Sequence, residues 1–226
     1  MDLGLKDHVV LVVGGTGLIG RAVVDATRSE GAAVLAGSRS GDGDITLDAR
    51  DPASVSRAVT SILRDHGRID GVVVAAAPSA RTLDPAANAD PDAVLEAIEA
   101  KAIAFLRVAQ AVLPAMRERG YGRIIGVSGQ NAWLTGNVRG SVRNASLIVA
   151  AKNLADTVAG QGITVNVVNP ATVTEEPSSQ VAPGRGGDSS PRDVAALVTF
   201  LLSPNAAAIS GESIAVGHRV HGVTVF

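Results

Sequence analysis

Four glycines near the N-terminus carry the clearest chemical signal in the chain. Gly14, Gly15, Gly17 and Gly20, with Thr16, Leu18 and Ile19 among them, follow the apolar run Val9–Val13 and open a stretch of helical periodicity. Gly15-x-Gly17-x-x-Gly20 and Gly14-x-x-Gly17-x-x-Gly20 are close variants of one fingerprint. The first glycine permits a tight turn, the middle one lets backbone approach a phosphate, and the last lets helix and strand pack closely. Such a turn holds a dinucleotide pyrophosphate against a helix N-terminus. A purely structural turn is the alternative. About 20 residues further on, where an acidic residue would bond a ribose 2′-hydroxyl, stands Ser38-Arg39-Ser40. A guanidinium between two hydroxyls suits a 2′-phosphate, so NADP(H) is expected over NAD(H), with Arg39 as a solvated loop charge the other possibility.

Little else suggests chemistry directly. There is no cysteine, and His8, His66, His218 and His221 are scattered, so neither a thiolate site nor a histidine-rich metal centre is expected. Asp42 and Asp44 in a glycine-rich turn resemble a metal loop but read better as a turn. No metal is expected.

Strand-like and helical stretches alternate along the chain. Strands are expected at Val9–Val13, Ala33–Gly37, Ile45–Leu47, Val72–Val74, Arg123–Val127, Thr164–Val168 and Ser213–Val216. Helices are expected at Leu18–Glu30, from Asp51-Pro52 with apolar Val55, Val59, Ile62 and Leu63, and at Pro91–Arg119, Ser141–Ala159 and Pro191–Leu202. The stripe of the long helix would comprise Val94, Leu95, Ile98, Phe105, Val108, Val112 and Leu113. This alternation implies a Rossmann-type, doubly wound parallel α/β sheet in three layers. Residues 1–226 read as a single domain. The irregular segment 175–190 is expected to be a mobile loop over the site, because only about 36 residues follow it, too few for an independent core.

Apolar residues make up 46% of the 226-residue chain and aromatics only 2%, so the core must be aliphatic. A net charge of −2 with interspersed signs argues against a nucleic-acid partner. The N-terminus lacks signal-peptide features, and no apolar run reaches the roughly 18 residues of a membrane span. A soluble, cytoplasmic protein is expected.

Further motifs resemble the short-chain dehydrogenase/reductase family from about residue 5 to residue 217. They are the glycine turn, Leu47-Asp48-Ala49-Arg50-Asp51, Leu113-Pro114-Ala115-Met116 followed by Gly122-Arg123-Ile124-Ile125, Ile163–Pro170 (ITVNVVNP) and Ile209-Ser210-Gly211-Glu212. The resemblance places Asp48 near the adenine, Ala75 and Ala76 beside its ribose, and Pro170 and Val173 near the nicotinamide end. Val74-Ala75-Ala76-Ala77-Pro78 replaces the family's asparagine-rich segment. A small-molecule substrate is implied, contacted by Asn131, Trp133 and Glu175, with core or interface packing the alternative for the tryptophan. Helices 91–119 and 141–159 are those through which relatives form dimers or tetramers.

The family's catalytic tyrosine and lysine are missing. Aligning Asn144-Ala145-Ser146-Leu147 with the family's lysine-led segment puts Gly140 at the tyrosine and Asn144 at the lysine. The serine falls on Ser128 or Gly129, Ser128 being preferred. Lys101, thirteen residues before Pro114, stands where asparagine is usual. Lysine and asparagine thus look exchanged, and Lys101 would restore positive charge from the opposite wall. Against this stands a decayed site with Lys101 on an exposed helix face. Three functions follow: an NADP(H)-dependent oxidoreductase with a non-standard proton route, an enzyme of the same fold performing cyclisation, dehydration or isomerisation, or a catalytically silent nucleotide- or partner-binding relative.

Overall fold

A computed structural model describes residues 2–76 and 84–223. Seven parallel strands form one sheet in the order β3-β2-β1-β4-β5-β6-β7. They are β1 (Val9–Val13), β2 (Ala33–Ser38), β3 (Ile45–Thr46), β4 (Gly71–Val74), β5 (Gly122–Val127), β6 (Ile163–Pro170) and β7 (Ser213–Val216). The helices are α1 (Leu18–Ser29), α2 (Pro52–His66), α3 (Pro91–Ile98), α4 (Ala104–Arg119), α5 (Val138–Thr157) and α6 (Pro191–Leu202). Strands β1, β4, β5 and β6 are buried along their whole length, as covering by helices on both faces requires. One apolar core joins Leu11, Val72, Ile124 and Val165 to α2, α4 and α5. The other joins Val10, Val12, Val73 and Ile125 to α1 and α6.

The chain leaves β1 towards β2 and β3, then returns on the far side of β1 as β4. The crevice of an open α/β sheet lies at such a switch point, at the carboxyl ends of the strands. Here those ends are Gly14 after β1 and Ala75-Ala76 after β4. They touch closely: a Cβ on Gly14, whose φ is +82°, would come within 2.8 Å of the Ala76 nitrogen.

Two expectations change. The long helix is interrupted by a π-helical segment, Glu99–Ile103, between α3 and α4. Its wider turn shifts the register, so Leu95, expected inside, is 65% exposed, while Lys101 is buried. Helix α5 begins at Val138 rather than Ser141, because the Asn137 side chain accepts from the Gly140 N–H and caps it. At the ends of segment 175–190 the Thr174 N–H donates to the Ser189 carbonyl and the Ser189 N–H to that of Thr172, and within it Gly184, Arg185 and Gly187 exchange backbone bonds with His218 and His221. The replacement of the asparagine-rich segment extends through Ala77 and Pro78, which lie outside the described residues.

Candidate active site

The glycine turn is built for close approach. A Cβ on Gly15 would lie 2.8 Å from the Ala36 backbone, and one on Gly20 would press into Gly14 and Gly15. Gly17 differs: a Cβ there would meet only the Gly14 carbonyl, at 3.4 Å. It stands at the start of α1, which no side chain caps, so the N–H groups of the first turn, at Leu18 and Ile19, have no side-chain partner. Open space before an uncapped helix N-terminus fits a dinucleotide pyrophosphate.

Beyond β2, Ser38 is buried while Arg39 and Ser40 are exposed, and Arg39 forms no ion pair among the described residues. The two serine hydroxyls donate to the Asp42 carboxylate, Ser40 at 2.8 Å. The Asp48 carboxylate accepts from the Arg50 N–H at 2.9 Å, closing a local turn. Ala75 continues the β1 ladder by donating to the Val13 carbonyl.

At the ends of β5 and β6 the fold gathers Lys101, Ser128 and Asn144. The π segment carries Lys101 inward to 7% exposure, and its Nζ donates to the Ser128 carbonyl at 3.1 Å. It is therefore not an exposed helix residue. The Ser128 hydroxyl donates in turn to the Asn144 carbonyl at 3.0 Å, so it is committed to the α5 backbone. Asn144 is buried, and its Oδ1 has no hydrogen-bond partner among the described residues. A Cβ on Gly129 would lie 3.1 Å from the Asn144 Nδ2, so of Ser128 and Gly129 it is Gly129 whose side-chain direction faces that amide.

Electrostatics single out Lys101. Burial, with the Arg143 guanidinium adding like charge, pulls its ammonium from 10.5 down to about 7. Arg143 is itself buried and its value is lowered by desolvation and then by Arg139. Gly140, the position expected for the tyrosine, is bordered by Asn137. A Cβ on Gly140 would meet the Asn137 amide at 2.8–2.9 Å, so that side chain takes up the space. Asn137 was legible only as a cap before a helix. Tyr121, the sole tyrosine, sits before β5 at the far end of the sheet, donating to the Leu202 carbonyl with Arg123 over its ring.

Asn131 and Trp133 lie on a 3₁₀ turn, Gln130–Trp133. One indole face is covered by the Arg219 guanidinium, 4.7 Å from the ring centroid. Gln130, missed in the sequence, is 1% exposed and bonds the Val216 and His218 carbonyls, fixing this turn to the C-terminal segment. Pro170 ends β6, and Val173 bridges to Ser189. Glu175 is exposed and lines a cleft of about 660 Å³ that runs from Thr16, Gly17 and Leu18 outward between α1 and α6. Lys101, Ser128 and Asn144 do not line that cleft. No group of three or more potential metal ligands occurs among the described residues, and no helix there is long and apolar enough to cross a membrane.

A family model described as enoyl-(acyl carrier protein) reductase matches residues 18–218. The chain is 28% identical to the 3-oxoacyl-[acyl-carrier-protein] reductase FabG of Escherichia coli, over 98% of this chain and 100% of that one. It is 28% identical to D-threitol dehydrogenase of Mycolicibacterium smegmatis, over 95% and 93%. Among solved structures, Cj0485 dehydrogenase superposes with a TM-score of 0.82 at 19% identity, over 95% of this chain and 94% of that one. Gox2181 gives 0.79 at 23%, over 95% and 96%. With its parallel seven-stranded sheet, its glycine turn and a match that spans nearly the whole length, the chain belongs to the short-chain dehydrogenase/reductase family.

Proposed function

We propose that the protein is an NADP(H)-dependent oxidoreductase for a small carbonyl or alcohol substrate in which Lys101, instead of a tyrosine, handles the proton. The observation that carries this reading is the buried Lys101 ammonium, 3.1 Å from the Ser128 carbonyl and lowered to about 7. A general acid or base works best when its pKa lies near the operating pH. A lysine at its ordinary value would hold its proton too firmly. The names of the relatives, a 3-oxoacyl reductase and a polyol dehydrogenase, support interconversion of carbonyl and alcohol.

The dinucleotide, when bound, supplies or accepts the hydride. The glycine turn and the first turn of α1 would hold its pyrophosphate, and Arg39, Ser38 and Ser40 its 2′-phosphate. Pro170 and Val173 would flank its nicotinamide end. Lys101 keeps a proton at Nζ, the Ser128 carbonyl fixes the direction of that nitrogen, and burial, with the like charge of Arg143 added, keeps its affinity for the proton low. Asn144 holds the opposite wall, with an unpartnered Oδ1 able to accept from a water or a substrate hydroxyl. Asn131, Trp133 and Glu175 would border the substrate.

The test begins with fluorescence titration of NADPH and NADH, followed by turnover across a carbonyl panel. Reduction requires protonated Lys101, so its rate should fall as pH rises through about 7, while alcohol oxidation should rise. Lys101→Ala should lower kcat/KM by about 10²–10⁴-fold. Arg143→Gln removes a like charge and should move the limb of the profile to higher pH. Full activity of Lys101→Ala would overturn the proton route. The commitment of the Ser128 hydroxyl to the α5 backbone, and the Asn137 amide beside Gly140, favour a second reading, a non-redox or silent relative. NADPH bound but never consumed would select it.

The same reading includes a homo-oligomer through helices 91–119 and 141–159. Leu95 and Ile103 are 65% and 38% exposed, and Val142 and Val149 on α5 are 36% and 61% exposed, seven residues apart on one helix face. Leu95→Asp combined with Val149→Glu should reduce the mass seen by light scattering to that of one chain. An unchanged mass would remove these helices from the interface.

A further inference from the structure

We infer that Asp42 is an internal competitor for the cofactor's 2′-phosphate, seated on the hydroxyls that the phosphate would use and displaced when NADP(H) binds. The inference rests on the NADP(H) reading above and adds a residue that sets cofactor affinity.

Two hydroxyls converge on the Asp42 carboxylate. Ser38 and Ser40 donate to its Oδ1, the two serine oxygens lie 3.0 Å from each other, and Thr16 of the glycine turn stands beside them as a weaker influence. Asp42 lies 22 residues past Gly20, in the region where dinucleotide sites read the ribose 2′ position. The place is therefore an anion site built from β1 and β2, and its present anion belongs to the chain. Donation from Ser38, then Ser40, holds the carboxyl below its ordinary value, so the anion is the form these hydroxyls retain.

The turn that delivers Asp42 is pinned independently of it. The Asp44 carboxylate accepts from the Ala36 N–H at 2.8 Å and from Arg28 at 2.6 Å. Gly43 packs so tightly on the Ala36 carbonyl that no side chain would fit. Gly41, at φ +78°, supplies the reversal. Asp42 projects from this frame, is exposed, and forms no ion pair among the described residues. A 2′-phosphate reaching Ser38, Arg39 and Ser40 would meet a like charge and must displace it. A ribose 2′-hydroxyl carries no charge and feels no such repulsion.

The test compares wild type with Asp42→Asn, which keeps the side chain's shape and an acceptor oxygen. NADPH, NADH, 2′,5′-ADP and ADP are titrated against both, with thermal midpoints confirming that each is folded. Asp42→Asn should bind NADPH and 2′,5′-ADP about tenfold tighter, as expected for removing one close, solvent-screened like charge, and leave NADH and ADP unchanged. The gain should shrink at high salt and vanish when Ser38→Ala and Ser40→Ala are added. Equal NADPH affinity for both proteins would overturn the role of Asp42 and leave the dinucleotide reading standing. Weaker NADH binding without any gain for NADPH would make Asp42 a ribose-hydroxyl acceptor, and that also overturns it. Failure of every nucleotide to bind either protein would overturn both readings together.

Discussion

Lys101→Met should stabilise the fold and, if Lys101 carries the proposed proton, abolish turnover. A buried ammonium is costly unless it is paired with an opposite charge, and among the described residues Lys101 has the neutral Ser128 carbonyl as its hydrogen-bond partner, with a guanidinium nearby. The sign of the pH dependence follows from the two states. Unfolded, the amine keeps its proton up to its ordinary value near 10.5, whereas folded it releases it near 7. Between these values the unfolded chain binds the extra proton, so stability rises with pH across that window. At and below pH 7 the folded chain carries the whole cost, on the order of 5 kcal/mol for such a shift. Methionine fills a similar volume without charge but leaves the Ser128 carbonyl without its donor, which offsets roughly 1–3 kcal/mol of the gain. A net increase of about 2 kcal/mol at pH 6.5, roughly 4–8 °C in melting midpoint, is expected. The gap between wild type and variant should narrow at pH 9.5, where the wild-type amine is neutral in the folded chain. A gap independent of pH would show that Lys101 is not held as a buried cation. Stability forgone at one buried charge is what a functional group costs, and a decayed site has no reason to keep it.

The sheet and the glycine turn were legible in the sequence because each rests on local rules. Apolar runs such as Val9–Val13 can only be buried strands once glycines and helical periodicity bracket them. Gly20 is demanded by backbone contacts within the turn itself and Gly15 by the neighbouring β2, whereas Gly14 answers to Ala75-Ala76 at the end of β4, a contact that only the fold creates. Lys101 was found by its spacing from Pro114, but its burial was not. A π-helical segment has no residue signature, since its extra residue per turn is absorbed within an ordinary helical stretch. For the same reason Leu95 looked like part of the core. Asp42 was hidden differently. Its sequence, between Gly41 and Gly43, is that of any polar turn. The fold of that turn depends on Asp44 reaching Ala36 and Arg28 on neighbouring elements. Ser38 and Ser40 suggested an anion site, and what the sequence withheld was that the carboxylate of Asp42, on the loop that follows β2, would occupy it.

Replacing two glycines of the same turn by alanine should separate folding from binding. Gly20→Ala drives a methyl group into the backbone of Gly14 and Gly15, where no flexible side chain can yield. The first turn of α1 must then lift off the β1 end, with an expected loss of about 3 kcal/mol, at the upper end of ordinary overpacking. Dinucleotide binding should disappear with it. Gly17→Ala meets only the Gly14 carbonyl at 3.4 Å, and its backbone, φ −76° and ψ 172°, is one that alanine adopts freely. The fold should lose under about 1 kcal/mol, the cost of alanine at a helix N-cap. Its methyl group nevertheless points into the space before the N–H groups of Leu18 and Ile19, where a pyrophosphate has to sit. NADPH affinity should drop by more than about tenfold, a positional cost of the kind a phosphate cradle imposes on any Cβ. Denaturant midpoints alongside nucleotide titration read the two effects separately. If Gly17→Ala bound NADPH as wild type does, the pyrophosphate would not lie at this helix, and the turn would be a structural device alone.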